Sequence, residues 1–233
     1  MYNGKKVGAV IVAAGESRRM GGIDKMWAPL AGKPVLFWTL STFRSSRFID
    51  EMVIVLRKED IDVCRVRIND RGSFGPMRLC SGGERRQDSV MSGLKQLKDC
   101  VWAVIHDGAR PLVDDILIER GLEAAMETGS AIAAVPVSDT IKESSRDNYV
   151  KNTLPRKNLW AVQTPQIFRF DIIIEAHLKG DEEVTDDSTL VENTGHKVKI
   201  FNGAYDNIKI TTPDDLALAE LLLAKREKRI ATS

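Results

Sequence analysis

The chain is poor in the residues that build covalent or metal-stapled frameworks. Its 233 residues include three cysteines, Cys64, Cys80 and Cys100, and three histidines, His106, His177 and His196. The cysteines are odd in number and form no C-x-x-C pair, which argues against a disulfide framework and for reduced thiols in the cytoplasm. The histidines lack zinc-type spacing. Neither sign of charge is in excess. The 34 Lys and Arg against 33 Asp and Glu leave a formal net charge of +1. No bulk field then favours nucleic acid or an anionic membrane, and any anion binding must be local. Long apolar runs are missing too, so no segment is expected to span a bilayer. The opening Met-Tyr-Asn-Gly-Lys-Lys lacks the apolar stretch and cleavage site of a secretory signal. Two phosphate-binding fingerprints are absent: the P-loop pattern G-x-x-x-x-G-K-[ST] and the dinucleotide pattern G-x-G-x-x-G.

What is present is ordinary for a soluble globular protein: 43% hydrophobic and 29% charged residues. The length suits one domain over 1–233 with a full core. Val7 to Val12 reads as a buried parallel strand. Further strands are predicted at 52–56, 77–80, 101–105 and 131–137. Helical patterns lie between them at 34–43, 89–97 and 114–126. This alternation predicts a mostly parallel sheet with helices on both faces. Residues 138–159 break the pattern. They are polar, hold two β-like pieces around Ser-Ser-Arg-Asp-Asn, and read as a hairpin arm leaving the body. The chain returns at 160–168, a helix follows from about Asp171, and late strands are predicted at 197–201 and 207–210. Thr212 and Pro213 suit the N-cap and first position of a terminal helix. Its Lys225 to Arg229 run reads as a solvated helix end.

Three loops at predicted strand ends hold the candidate chemistry. The first runs Ala13-Ala14-Gly15-Glu16-Ser17-Arg18-Arg19-Met20-Gly21-Gly22-Ile23-Asp24-Lys25. Small residues let a ligand approach backbone N–H groups, and Arg18, Arg19 and Lys25 add positive charge at the same place. That suits a nucleoside triphosphate; the plain alternative is a solvated basic turn. The second loop, Ser81-Gly82-Gly83-Glu84-Arg85-Arg86-Gln87-Asp88-Ser89, again pairs glycines with arginines. Ser89 or Asp88 also suits a helix N-cap. The third, His106-Asp107-Gly108-Ala109-Arg110-Pro111, puts a carboxylate at a strand end, where it can face ribose hydroxyls or a metal, or pair with Arg110. His106 reads as structural. Loops at three strand ends would face one crevice.

With these residues in order, the chain resembles the 2-C-methyl-D-erythritol 4-phosphate cytidylyltransferases of the non-mevalonate isoprenoid pathway. The resemblance continues through Val137-Ser138-Asp139-Thr140-Ile141-Lys142, Gln163-Thr164-Pro165-Gln166, Thr185-Asp186-Asp187 and Asp206-Asn207-Ile208-Lys209, so it covers nearly the whole chain. It implies a Rossmann-like nucleotidyltransferase fold: α/β, a mostly parallel twisted sheet with helices on both faces, and a protruding β-arm at about 138–159. The arm would make a homodimer and help build the partner's site. The implied substrates are CTP and a sugar-alcohol phosphate, with Mg²⁺ held mainly by the CTP phosphates and Asp107 as a possible metal ligand. Ala13, Ala14, Gly15, Gly82, Gly83, Arg86, Ser89, Asp107 and Gly108 would bind CTP. Arg110, Thr140, Arg156, Thr164 and Thr185 would bind the acceptor. Arg19, Lys25 and Lys209 would be catalytic. Two departures stand out: Asp24-Lys25-Met26 where the family commonly has Pro-Lys-Gln, and Arg85 where a glutamate is usual.

The implied chemistry is in-line attack of the acceptor phosphate on the α-phosphorus of CTP. A phosphate is already ionised near neutral pH, so no protein base is needed, which fits the lack of a Ser-His-Asp set. Rival readings are a ribitol-5-phosphate cytidylyltransferase, a sugar-1-phosphate nucleotidyltransferase using UTP or GTP, and a non-catalytic CTP-binding module.

Overall fold

The computed structural model describes the chain except for residues 18, 23, 71–76, 181–182 and 232–233. Arg18, one of the cations expected at the first loop, lies outside the described residues. In chain order the elements are β1 (Val7–Val12), β2 (Pro29–Leu30), β3 (Lys33–Pro34), α1 (Val35–Ser45), β4 (Glu51–Leu56), α2 (Asp60–Asp70), β5 (Met77–Ser81), α3 (Arg86–Leu94), β6 (Trp102–Asp107), α4 (Asp115–Thr128) and β7 (Ser130–Pro136). There follow β8 (Lys142–Ser144), β9 (Val150–Thr153), a 3₁₀ turn (Arg156–Asn158), β10 (Trp160–Arg169), α5 (Phe170–Lys179), α6 (Asp187–Asn193), β11 (Lys199–Asn202) and α7 (Pro213–Ala231).

The main sheet has seven strands in the order β11-β7-β10-β6-β1-β4-β5. Pairing is parallel from β6 through β1 and β4 to β5, and between β11 and β7; β10 runs antiparallel to both its neighbours. Strands β1, β4 and β6 are buried along their whole length, because helices cover both faces and leave no side for polar residues. The two-residue period sorts their side chains into two layers. Ala9, Ile11, Ile54 and Val104 pack with α1, α2 and α4 residues such as Phe37, Cys64 and Ile118. Val10, Val53, Val55 and Ile105 pack with Val90, Ile173 and Val191 of α3, α5 and α6.

Helix α3 lies close on the sheet because position 93 carries no side chain. A Cβ on Gly93 would stand 2.4 Å from Val10 Cγ1 and 2.8 Å from Val55 Cγ2. Both valines are β-branched and held in strands, so neither can turn aside. Gly93→Ala is therefore expected to destabilise the fold by about 1–3 kcal/mol through overpacking. Urea unfolding monitored by circular dichroism checks this; an unchanged midpoint would mean that α3 can back away freely.

The terminal helix starts as its sequence predicts. Thr212 Oγ1 accepts from the Asp215 N–H at 3.3 Å, while Asp215 Oδ2 accepts from the N–H groups of Thr211 and Thr212 at 2.9 Å. This reciprocal arrangement satisfies N–H groups that a helix start leaves free. Helix α4 likewise starts with Asp114 accepting from Leu117 N at 2.8 Å, and ends at Gly129 with φ +84°.

Three expectations change. The strand predicted over 207–210 does not form: the segment is irregular, and its Ile210 N–H reaches Ala109 O at 2.8 Å. The alternation of Ile208 and Ile210 arises because Ile210 is buried in a separate apolar cluster with Met20, Leu30 and Leu112. Helix α3 starts three residues before Ser89, so neither Ser89 nor Asp88 is its N-cap; that place belongs to Arg85. Helices α2 and α6 were not anticipated.

The segment 138–159 does hold a hairpin. Strands β8 and β9 pair antiparallel in a sheet of their own. Every residue of both is exposed, and Tyr149 and Val150 present apolar surface at the turn.

Candidate active site

The first, second and third loops leave the carboxyl ends of β1, β5 and β6. The order of the sheet turns back between β1 and β6, which is where open parallel sheets bind ligands. A cleft of about 680 Å³ opens there.

Its first wall is the loop after β1. Ser17 Oγ accepts from the Lys25 N–H at 3.0 Å and Asp24 Oδ1 from the Met26 N–H at 2.9 Å. Asp24 also binds Arg57, whose Nε donates to Asp60 Oδ2 at 2.6 Å. Trp27 Nε1 donates to the other oxygen of Asp60 at 3.0 Å. The loop is thus tied to the turn after β4. Lys25 Nζ folds back to 4.0 Å from where a Cβ on Gly15 would stand.

The second loop presses against the first. A Cβ on Gly82 would lie 2.5 Å from Ala14 Cβ and 2.6 Å from Ser89 Oγ, so glycine here serves loop-to-loop contact. Ser89 Oγ accepts from the Gly83 N–H at 3.1 Å, which holds the loop from inside α3.

In the third loop His106 is fully buried. Its Nε2 stands 3.2 Å from Arg110 O and its Nδ1 3.1 Å from Thr164 Oγ1. A carbonyl only accepts, so Nε2 carries the proton and Nδ1 accepts from the Thr164 hydroxyl. That hydroxyl in turn accepts from the Asp107 N–H at 3.0 Å. Burial pushes the imidazole down to about 3. His106 is a neutral strut that fixes Asp107, as its structural reading requires.

A second cavity, of about 600 Å³, lies beside the first. Arg110, Thr164 and Thr185 line it, as do Gln163 and Gln166 around a register shift in β10. Gln166 Nε2 donates to Asp186 Oδ2 at 2.7 Å, and Asp186 caps α6 by accepting from Thr189 N. Asn207 Nδ2 donates to Thr164 O and Arg110 Nη1 donates to Asn207 O, both at 2.8 Å. These bonds brace the irregular segment that carries Lys209.

Arg86, Asp107 and Lys209 belong to the walls of both cavities. Lys209 Nζ is 2.9 Å from Asp107 Oδ2, Arg110 Nε is 3.5 Å from the same oxygen, and Arg86 Nε is 3.7 Å from Oδ1. Burial raises the pKa of Asp107, but Lys209, Arg86 and Arg110 together outweigh it and hold the carboxyl below its usual range. Lys25 shows the opposite balance. Burial, then Lys209, and also Arg19 lower its pKa, with Asp107 opposing them.

The family model for IspD: 2-C-methyl-D-erythritol 4-phosphate cytidylyltransferase matches residues 7–225. The chain belongs to this family. It is 54% identical to the 2-C-methyl-D-erythritol 4-phosphate cytidylyltransferase of Dehalococcoides mccartyi, over 97% of this chain and 99% of the relative. Identity to the enzyme of that name from Caldanaerobacter subterraneus is 45%, over 94% and 99%. Among solved structures, the 4-diphosphocytidyl-2C-methyl-D-erythritol synthase of Anaerococcus prevotii superposes with TM-score 0.85 at 33% identity, covering 95% of this chain and all of that one. The cytidylyltransferase of Thermus thermophilus gives 0.75 at 32% identity, covering 93% and 98%.

Of the residues that the family resemblance singles out, Arg19, Lys25 and Lys209 line one cleft with Ala14, Gly15, Gly82, Gly83, Arg86, Ser89 and Asp107. Ala13 and Gly108 are buried behind the wall; a Cβ on Gly108 would stand 3.1 Å from Ala13 Cβ. Thr140 and Arg156 are exposed on the arm segment, where Arg156 Nη1 donates to Ser138 O at 2.5 Å. Neither of them borders the two cavities of its own chain. Arg57 lines the first cleft and was not foreseen. Gln163, Gln166 and Asn207 were not foreseen as supports either, although all three stand in the motifs that carry the resemblance.

Among the described residues, no three carboxylate, histidine or cysteine side chains come together as a metal cage. Asp107, set between cations, offers a single hard oxygen ligand group in the shared wall. Such a donor set fits a magnesium ion that arrives on phosphate oxygens.

Proposed function

We propose that the protein joins CTP to 2-C-methyl-D-erythritol 4-phosphate, giving 4-diphosphocytidyl-2-C-methyl-D-erythritol and pyrophosphate. The observation that carries this reading is the wall of Arg86, Asp107 and Lys209 common to two adjoining cavities. A transfer between two bound molecules needs a recess for each and a boundary where the reacting atoms meet. The cleft lined by Gly15, Gly82 and Gly83 takes the nucleotide, and the cavity lined by Arg110, Thr164 and Thr185 takes the acceptor phosphate.

An acceptor phosphate oxygen attacks the α-phosphorus, and the bond to the β-phosphate bridging oxygen breaks with pyrophosphate leaving opposite. Both reactants are anions, so repulsion is the first obstacle. Arg19, Lys25 and Lys209 offset the charge on the five-coordinate phosphorus. Magnesium would be held by the CTP phosphates with Asp107 in reach, and supplies further charge neutralisation. The arm, with Thr140 and Arg156, reaches across to the acceptor cavity of a second copy. This is supported by the exposed hairpin and by the absence of both residues from the cavities of their own chain. The reaction runs in the cytoplasm, in keeping with three unpaired thiols. No described helix is long and apolar enough to cross a membrane.

The test is pyrophosphate release by the purified protein with CTP, Mg²⁺ and either acceptor. Release is expected with 2-C-methyl-D-erythritol 4-phosphate, and at most background release with ribitol 5-phosphate or without acceptor. A preference for ribitol 5-phosphate, or CTP binding without turnover, would replace this reading.

A further inference from the structure

Behind the shared wall lies a buried carboxylate that the reaction does not use. Asp187, the first residue of α6, is fully buried and lines neither cavity. Its Oδ2 accepts from Arg86 Nη1 at 2.6 Å. Its Oδ1 makes no hydrogen bond and faces His177 Nε2 of α5 across 3.3 Å; that nitrogen is itself buried without a hydrogen bond. Arg86 is therefore held at both ends. One end meets Asp187 in the core, and the Nε side faces Asp107 in the site at 3.7 Å.

A buried charge is costly unless paired, and a buried ion pair adds little stability over apolar packing of the same size. What such a pair does supply is direction. The planar guanidinium has a fixed fork, so a carboxylate behind it sets where its other donors point. We propose that Asp187, backed by His177, is a positioning residue that sets Arg86 in the wall between the two cavities. The proposal rests on the transferase reading for its kinetic effect, though not for its effect on CTP binding.

Asp187→Asn keeps the shape of the side chain and removes its charge. It should lower kcat/KM for the acceptor roughly tenfold, since small displacements of positioning groups are expensive. In the Arg86→Gln background the same substitution should change kcat/KM by less than about twofold, because residues acting through one another are not additive. Equal losses in both backgrounds would overturn the proposal, since a purely structural Asp187 would matter whether or not Arg86 is present. CTP affinity by calorimetry, over the same four proteins, should repeat the pattern without any acceptor. If wild type turns over no acceptor, the transferase reading fails, and the binding cycle alone decides on Asp187. Should Asp187→Asn not fold, His177→Gln takes its place. A roughly threefold loss confined to the Arg86 background supports the proposal; no loss, or the same loss in both backgrounds, overturns it.

Discussion

Lys209→Ala is expected to lower kcat by roughly 10²–10³-fold, the cost of removing one preorganised donor from a transition state. Three observations set this size. Lys209 borders both cavities, which on the proposed reading sets its ammonium between the donor and acceptor phosphates. Its segment is braced by Asn207 and Ile210, each with a backbone or side-chain bond to the body. And its Nζ lies 2.9 Å from Asp107 Oδ2, which holds the ammonium in the wall that the two cavities share. The loss should fall on kcat more than on KM for either substrate, because charge at the reacting centre grows only on the way to the five-coordinate state. Lys209→Arg should recover only part of the rate, since a planar fork cannot replace a compact ammonium beside Asp107. Steady-state kinetics with both substrates varied gives the answer. Wild-type kcat in the alanine variant would remove Lys209 from the reaction.

The expected size depends on a residue in a segment whose sequence predicts the wrong structure. Residues 207–210 alternate like a strand, yet Ile210 faces an apolar cluster on α1 and α7 and the segment joins no ladder. Local pattern tells that a side chain is buried, not what buries it. The main sheet was easier to read. Val7 to Val12 and Met52 to Leu56 are apolar throughout because both faces are covered, and their short length and β-branched valines and isoleucines favour a central strand over a buried helix. Helix α2 escaped because Asp60-Ile-Asp-Val-Cys-Arg-Val-Arg-Ile-Asn-Asp alternates charged and apolar residues without a clear helical stripe, with Cys64 and Ile68 as its buried apolar contacts. Helix α6 has seven residues, too few for a helical stripe to show, and its Asp186 cap, three residues before Thr189, stands inside a motif of the family resemblance.

The same division runs through the site. Glycine and arginine at the ends of β1 and β5 announce anion chemistry locally, and the structure brings Arg19, Lys25 and Lys209 to one cleft. The supports are not local. Arg57 meets Asp24 from 33 residues away and Arg86 meets Asp187 from 101. A buried polar residue is explained by its partner through space, and no spacing rule predicts that partner.

Lys25 supplies the second large effect. Lys25→Ala should reduce kcat by roughly two orders of magnitude, on the same ground as Lys209. Its pH dependence is more specific. The ammonium is the working form, and burial with Lys209 and Arg19 nearby lowers its pKa from the ordinary lysine value. The charge is therefore lost as pH rises, and at a lower pH than for a free lysine at about 10.4. Since kcat/KM reports groups of the free enzyme, kcat/KM for CTP should fall on its alkaline side along this titration. Lys25→Arg, which stays protonated there, should lose that limb while keeping a measurable rate. Stability should move the other way. Between the lowered folded value and the unfolded one, the unfolded chain binds more protons at this site, so the Lys25 contribution to stability rises with pH as activity falls. A pH series of kcat/KM and of urea midpoints, on wild type and on Lys25→Arg, separates the two trends. If both proteins share one alkaline limb, the group that titrates there is not Lys25, and the charge it brings to the triphosphate is not what the rate depends on.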